Sequence, residues 1–273
     1  MSTDHELVEK ARGGDRAALE SLVRRAKDLV YNLAVRMLGS HADAEDASQE
    51  VLIRIVTGLG GFRGDSTFRT WVFRVASNHL LTARKRQAED KTESFEAMAG
   101  YLEAGLAANL PPLDDAVLVT EAKLACTSKM LLCLDRDQRI AFILGEVLEL
   151  PSDEAADVLE LTPDAFRKRL SRARERMGAF MLARCGLVDA GRPCRCATQA
   201  AGAQARGILD PARLSWTRAA TVPEISGARR IEDLERLERA AAVFRGHPSY
   251  VAPESLILGL RRVLQAGRSD LLD

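Results

Sequence analysis

The chain has 273 residues, of which 47% are hydrophobic and 29% charged, and its formal net charge is zero. This composition is typical of a globular protein of two or three modest domains and excludes a fibrous or disordered chain. No window approaches eighteen consecutive apolar residues, and the N-terminal MSTDHELVEK lacks the apolar run of a secretory signal, so the sequence predicts neither a membrane span nor export. We therefore expect a cytoplasmic protein whose five cysteines are thiols or metal ligands.

Apolar residues recur at spacings of three and four along nearly the whole chain, which predicts an all-α protein. The zero net charge conceals local patches, since residues 62–86 are basic, residues 87–125 are acidic and residues 163–177 are basic again. The acidic stretch contains LAANLPPLDD, a proline-bearing break between two periodic segments. We interpret it as an acidic linker between two basic modules.

The first helix with a chemical pattern is DAEDASQEVLIRIV, residues 43–56. Its apolar stripe is formed by Ala44, Ala47, Val51 and Ile55. The opposite side is polar and is formed by Asp43, Asp46, Gln49 and Glu50. From the residues alone, a solvated acidic face is the favoured interpretation of this pattern.

The next segment, FRGDSTFRTWVFRVASNHLL (residues 62–81), interleaves aromatic rings with arginines. Such a pattern suits unpaired nucleic acid, because each base stacked on a ring contributes about 1–3 kcal/mol while the cations follow the backbone. The alternative is that ring pairs at positions i and i+4 are core contacts, and we expect at least two of the rings to be of that kind.

Residues 139–177 have the pattern of a helix-turn-helix. RIAFILGEVLEL is apolar on nearly all sides, Ser152 can begin a short helix, and Thr162 with Pro163 marks the start of a longer one. The longer helix has an inner stripe of Phe166, Leu170, Ala173 and Met177 and an outer face rich in arginine and lysine. A basic helix of this kind can enter the major groove of duplex DNA. An amphipathic basic helix on a solvated surface is the alternative.

The C-terminal part contains a cysteine cluster in CGLVDAGRPCRC, where Cys185, Cys194 and Cys196 stand in a glycine- and proline-bearing turn. Three thiols lack one ligand for tetrahedral zinc, and His247 in FRGHPSYVAP is the best candidate to complete the set. A structural zinc site, buried reduced cysteines and a redox switch all remain open.

Taken together and in this order, the segments resemble the sigma factors of bacterial RNA polymerase, in particular the compact extracytoplasmic-function (ECF) class. The resemblance covers roughly residues 5–90 and 125–180. It implies sigma region 2 in residues 1–90, a linker in residues 91–123 and a region 4 helix-turn-helix in residues 124–184. Residues 185–273 form an extension that we expect to be mostly helical and to regulate the promoter-reading modules in cis.

The resemblance also implies partners and site residues. The partners are core RNA polymerase, through the clamp helices of its largest subunit and its flap region, and promoter DNA in duplex and melted form; an anti-sigma partner stays open. The residues implied for the clamp are Asp43, Asp46, Gln49 and Glu50. Those implied for the melted minus-ten element are Phe62, Arg63, Phe68, Trp71, Arg74, Asn78, Arg84 and Arg86. Those implied for the minus-thirty-five element are Arg167, Lys168, Arg169, Ser171, Arg172 and Arg174, with Arg169 able to pack at the helix edge instead.

Two other classes of protein agree less well with the sequence. A helix-turn-helix repressor or activator without a sigma role would explain the basic helix but not the acidic face or the aromatic segment. A zinc hydrolase would need an open metal site, whereas His-Glu-x-x-His is absent and three thiolates with one imidazole would close the zinc to water. The sequence therefore favours a sigma factor that requires no cofactor and leaves the chemistry to the polymerase.

Overall fold

A computed structural model describes residues 3–83, 94–219 and 236–266. The α-helices within those residues are, in chain order, α1 Asp4–Arg12, α2 Arg16–Leu38, α3 His41–Thr57, α4 Phe68–Ala83, α5 Phe95–Ala107, α6 Ala116–Leu132, α7 Arg136–Phe142, α8 Ser152–Val158, α9 Pro163–Arg184, α10 Cys196–Ala205, α11 Trp216–Ala219, α12 Arg236–Arg245 and α13 Ser255–Ala266. A 3-10 turn (Leu59–Gly61) follows α3, and a π-helical turn (Ile143–Val147) continues α7. The described residues contain no β-strand, only an isolated parallel bridge between Cys185 and Cys194, so the prediction of an all-α protein is confirmed.

The ends of the second and third helices are set by residues suited to capping. The Asp15 carboxylate accepts hydrogen bonds from the first free amides of α2, at 2.9 and 3.1 Å. The helix stops at Gly39, whose φ of 65° is left-handed and favours a residue without a Cβ atom. Ser40 then caps α3 by accepting from the Asp43 amide. The sharp turn between α2 and α3 is therefore encoded by two adjacent residues.

Contacts divide the chain into two compact units. Unit 1 comprises Met1–Gln87, Asp153–Pro163 and Tyr250–Asp273, and unit 2 comprises Ala88–Ser152 and Asp164–Ser249. The central helix of unit 1 is α2, against which α1, α3, α4 and α13 pack. Its apolar residues are accordingly buried on more than one side, among them Val30, Leu33, Ala34 and Val35. The C-terminal extension contributes to both units.

In unit 2, α10 of the extension packs against α5 and α6. Two glycines permit this packing, because a Cβ atom on Gly202 would lie 2.8 Å from the carbonyl oxygen of Gly105. The segment interpreted from the sequence as an acidic linker thus contains α5 and the beginning of α6, and its helices are covered by residues of the extension. The boundaries of the predicted domains themselves stay predictions.

The inner stripe expected for α9 is confirmed, since Phe166, Leu170, Ala173 and Met177 are all buried. The π-helical turn accommodates this stripe at Gly145, where a Cβ atom would lie 2.6 Å from the Leu170 side chain. The other neighbour of the π-helical turn is α12. Since Phe142 and Phe244 meet edge to face at 5.2 Å between ring centroids, the extension is joined to this core by an aromatic contact.

We expect Phe166→Ala to lower the free energy of unfolding by about 3–5 kcal/mol, because it empties a fully buried site at the start of α9. Urea unfolding followed by circular dichroism measures the change. The matched control is Arg167→Ala, one residue along the same helix and exposed, which should shift the free energy by less than about 0.5 kcal/mol. Equal losses in the two variants would contradict the packing described for α9.

Candidate nucleic-acid interface

The acidic side of α3 is accessible as the sequence predicts. Asp43, Asp46 and Glu50 are exposed, whereas Ala44, Val51 and Ile55 of the opposite stripe are buried and Ala47 is half-buried. Three carboxylates on one solvated helix face form a negative surface that suits a basic or amide-rich partner. The fourth residue expected there, Gln49, is half-buried and lies against Gly259 of α13.

Glu50 has a neighbour on α4 that bears on its charge. The buried His79 ring lies with its Nε2 3.5 Å from the Glu50 carboxylate. Burial lowers the pKa of His79, an effect that Glu50 opposes. Since the imidazole is neutral at neutral pH, it does not cancel the charge of Glu50, and the face keeps its negative potential.

The rings at the start of α4 form a packed cluster. Phe62 and Phe68 meet edge to face at 6.1 Å, and Trp71 lies 5.6 and 6.0 Å from them. Phe62 and Phe68 are buried and Trp71 is half-buried. Phe62 and Phe68 therefore brace the loop and α4 in the free chain, and the expectation that they contact bases stays a prediction. Of these three rings, Trp71 presents part of its surface.

The polar residues of α4 differ in accessibility. Arg63, in the preceding loop, and Asn78 are exposed, while Arg74 is half-buried. Arg74 forms an ion pair of 2.6 Å with Asp157, and its Nε donates to the backbone oxygen of the same residue at 3.2 Å. The two remaining residues expected to bind here, Arg84 and Arg86, lie outside the described residues.

A second carboxylate of α8 meets the same helix. Thr70 donates its hydroxyl proton to Glu154 at 3.0 Å, and Arg69 lies 3.7 Å from that carboxylate. From Asp153 onward α8 belongs to unit 1, so these pairs are part of one compact unit. Arg69 and Arg74 of α4 thus each have a carboxylate partner on α8.

The outer face of α9 is basic and largely solvated. Arg167, Lys168, Ser171, Arg172 and Arg174 are exposed, as the sequence predicts. Lys168 and Arg167 pair with Asp164 in the first turn, at 2.9 and 3.7 Å. Such exposed pairs are weak, so these cations can be transferred to a phosphate at little cost.

Two arginines of α9 are held by the scaffold. Arg169 is half-buried and lies 3.6 Å from Asp137, which places it at the helix edge. Arg174 forms an ion pair with Glu146 of the π-helical turn, a carboxylate that is only 2% exposed. Arg245 of α12 binds the other oxygen of the same carboxylate at 3.1 Å. Arg174 is therefore fixed by a buried charge, whereas Arg167, Lys168 and Arg172 project from the helix.

The cysteines of the extension lie around a turn closed by a hydrogen bond of 3.0 Å from the Gly186 amide to the Cys194 carbonyl. Burial is the main cause that raises the pKa of Cys126, and Cys194, Cys185 and Cys196 raise it further because their charged forms would repel it. Burial likewise raises the pKa of Cys194, to about 11. Cys126 of α6 is thus a neighbour of the three clustered thiols. The hydrophobic periodicity of the sequence could not indicate that these thiols lie close together, because Cys185 comes 59 positions after Cys126.

His247 is engaged elsewhere. Its Nε2 lies 2.6 Å from the hydroxyl oxygen of Thr127, and its ring packs beside Phe244. In this structure the Nε2 atom of His247 is engaged by a hydroxyl group, and the expectation that His247 completes a zinc site with the cysteines stays a prediction. Across the described ranges, no group of three or more His, Cys, Asp or Glu side chains is placed to hold a metal ion.

Among the helices of the described ranges, none is long and apolar enough to cross a membrane.

Comparison with known proteins identifies both DNA-related parts of the chain. The model of sigma-70 region 2 matches residues 22–89, and that of sigma-70 region 4 matches residues 124–177. The chain is 32% identical over 176 residues to the RNA polymerase sigma-H factor of Pseudomonas aeruginosa, covering 63% of this chain and 90% of that protein. It is 31% identical over 177 residues to the ECF RNA polymerase sigma-E factor of Escherichia coli K12, covering 63% and 91%.

Among solved structures, the chain matches CnrH in complex with the cytosolic domain of CnrY (TM-score 0.48, 24% identity, 66% of this chain and 97% of that one). Another is the sigma factor RpoE of Bartonella quintana in complex with the anti-sigma factor NepR (TM-score 0.41, 19% identity, 61% and 96%).

The two regions and the curated relatives define a sigma factor of the sigma-70 family. Within that family the chain belongs to the ECF class. It is a promoter-specificity subunit, which binds core RNA polymerase and promoter DNA to start transcription, and the alternative of a helix-turn-helix regulator without a sigma role is not favoured. The family matches end at residue 177, so they leave the extension unassigned.

The raised pKa values predict slow alkylation of the clustered thiols at pH 8, because the thiolate is the reacting form. For Cys194 the rate with iodoacetamide should rise roughly tenfold per pH unit up to a pH near 11. Mass spectrometry of the modified peptides measures the rate, with free N-acetylcysteine as the reference. A Cys194 rate equal to that of the reference at pH 8 would contradict the burial of this group, and protection that a chelator removes would instead reveal bound metal.

Proposed function

We propose that the acidic face of α3 is the surface that binds the clamp helices of the polymerase largest subunit. What supports the proposal is the accessibility of Asp43, Asp46 and Glu50 on a helix within the matched region 2, together with the neutral state of the neighbouring His79. Interfaces of this kind gain specificity from charge complementarity, and a reversed charge at the centre is strongly unfavourable. Gln49 belongs to the same face but is partly covered in the free chain.

We expect Asp46→Lys to weaken binding to purified core polymerase by about tenfold or more, with helical content unchanged, because it inverts the charge of an exposed residue in this face. Fluorescence titration of core against the dye-labelled chain measures the affinity. Glu103→Lys on α5 makes the same charge change at another exposed helix position and should leave the affinity within about twofold. Comparable losses for both variants would indicate a general charge effect and contradict the proposed face.

For the minus-ten element, we propose that Trp71, Arg74, Asn78 and Arg63 hold the melted strand while Phe62 and Phe68 keep the loop and α4 rigid. The half-buried indole offers a stacking surface beside exposed polar groups. Arg74 and Arg69 have α8 carboxylates as partners in the free chain. Binding of the strand would exchange those carboxylates for phosphates, so that the number of ion pairs is conserved.

For the minus-thirty-five element, we propose that the N-terminal half of α9 enters the major groove with Arg167, Lys168, Ser171 and Arg172. Their exposure along one helix face, within the matched region 4, carries this assignment. Arg174 and Arg169 then position the helix, since each has a carboxylate partner in the scaffold of unit 2.

The proposed minus-thirty-five and minus-ten sites can be distinguished by two different assays. Arg172→Ala should weaken binding to duplex promoter DNA and lower the slope of log affinity against log salt by about 1, because one phosphate-binding cation is lost. Trp71→Ala should leave duplex binding intact and reduce open-complex formation by the holoenzyme, measured by permanganate reactivity of unpaired thymines.

Arg213→Ala is the matched control for the DNA experiment, since Arg213 is a solvated arginine of the extension that pairs only loosely with Asp210, at 3.8 Å. It should change neither readout. If Trp71→Ala weakened duplex binding and left strand opening intact, the assignment of α4 to the melted element would be wrong.

The remaining features follow from this role. We propose that the chain acts in the cytoplasm, where the polymerase it serves is found, and that it has no enzymatic activity of its own. An anti-sigma partner stays open. Structural zinc bound by Cys185, Cys194, Cys196 and His247 stays a prediction.

A further inference from the structure

The last described segment of the chain lies on region 2. Residues 250–252 run along α2, where the side-chain amide of Asn32 makes two hydrogen bonds with the backbone of Tyr250, donating at 2.7 Å and accepting at 2.8 Å. One helical turn earlier, the Asp28 carboxylate accepts from the Ala252 amide at 3.0 Å. The segment is therefore held through its backbone by α2 side chains one turn apart.

The Tyr250 ring anchors this segment. It is 1% exposed, lies 5.5 Å from the Arg36 guanidinium carbon and meets the His41 ring edge to face at 5.2 Å. His41 is the first residue of α3 and is itself bound to the Tyr31 hydroxyl at 2.9 Å. An aromatic side chain inserted between a cation and a second ring is a typical anchor of a binding interface.

The following helix, α13, covers part of α2 and α3. Its apolar side, formed by Leu256, Ile257 and Leu260, is buried, whereas Leu258 is 52% exposed. Gly259 faces α3 so closely that a Cβ atom would lie 2.9 Å from the Gln49 side-chain nitrogen. Since Gln49 belongs to the proposed polymerase-binding face, α13 occupies one edge of that face.

We infer that residues 250–266 are an intramolecular competitor of core RNA polymerase: the docked segment covers the Gln49 edge of the α3 face and has to leave before the clamp helices can bind. The inference rests on the proposed function of α3. It assigns the end of the extension an autoinhibitory role that neither family match reaches, since they end at residue 177.

Two properties allow the segment to stay docked on α2 and still be displaced by a partner. It covers cations on α2, because Lys27 is 8% exposed and reaches the Ala252 carbonyl at 3.4 Å and the Glu254 carboxylate at 3.8 Å. Taking a cation out of water offsets part of what the apolar contacts contribute. Residues 246–249 also tether the segment to α12, so a weak contact is maintained by a high effective concentration. A partner that binds α3 tightly enough can therefore displace it.

The test uses the full-length chain with Leu256→Asp and Leu260→Asp, which place carboxylates at two buried positions of α13 without altering α3. We expect binding to core polymerase to become about tenfold tighter, since the apparent dissociation constant falls as the competent fraction rises. Hydrogen exchange of the amides in residues 255–266 should become faster in the same sample, which reports release of the segment.

Leu258→Asp is the matched control, because it introduces the same charge at an exposed position of the same helix. It should leave affinity and exchange unchanged. If the double variant loses helical content elsewhere, Tyr250→Ala replaces it and should also tighten binding. A released segment without tighter binding overturns the inference, and so does equal tightening by Leu258→Asp.

The assay also separates this inference from the proposed function on which it rests. Asp46→Lys in the wild-type background tests the α3 face alone. If that variant binds core weakly while release of the segment has no effect, the face is correct and the competitor role is wrong. If Asp46→Lys binds core as the wild type does, the face itself is misassigned.

Discussion

Unit 1 depends on the burial of α2, a helix of 23 residues that carries apolar side chains on more than one side together with the cations Lys27 and Arg36. Apolar residues on several sides require cover on several sides, which α1, α3 and α4 provide in part. The cations require polar partners once they are covered, because an unpaired buried charge is strongly unfavourable. Burial lowers the pKa of Arg36, the expected direction for a guanidinium with little access to water. The backbone carbonyls and the tyrosine ring of the C-terminal segment complete this cover.

The need to cover α2 also explains why side chains of region 2 form hydrogen bonds and ring contacts with the extension. Asp28, Asn32 and Arg36 stand at successive turns of α2 and face the segment that begins at Tyr250. A sigma factor without the extension would expose this polar row to water, which is a stable arrangement. The row is therefore compatible with both a covered and an uncovered α2. Such a surface can exchange one partner for another without unfolding.

The features that the sequence could predict depend on residues only a few positions apart. The buried stripe of α9, the exposed carboxylates of α3 and the start of α9 at Pro163 all follow from periodicity and capping, which act over a few residues. Periodicity could not tell which rings at residues 62–71 face outward, because Phe62 lies in a loop whose path is set by contacts with Phe68 and Trp71. The burial of Phe62 and Phe68 therefore depends on tertiary packing, which local sequence patterns do not reveal.

The long-range contacts of the extension have the same origin. His247 was matched to the cysteines because it was the available donor in a loop, whereas its contact with Thr127 joins positions 120 residues apart. The proximity of Cys126 to the clustered thiols also depends on tertiary packing. A single sequence contains no signal for contacts between residues so far apart along the chain.

The buried carboxylate of Glu146 has a consequence for DNA binding. With only 2% of its side chain exposed, this carboxylate needs a positive neighbour, and it has two, Arg174 on α9 and Arg245 on α12. Were Arg174 its sole counter-ion, any phosphate that attracted this arginine would leave a charge stranded in a medium of low polarity. Arg245 is a second counter-ion, so Glu146 stays paired when Arg174 is displaced, and α9 keeps its place in the core of unit 2.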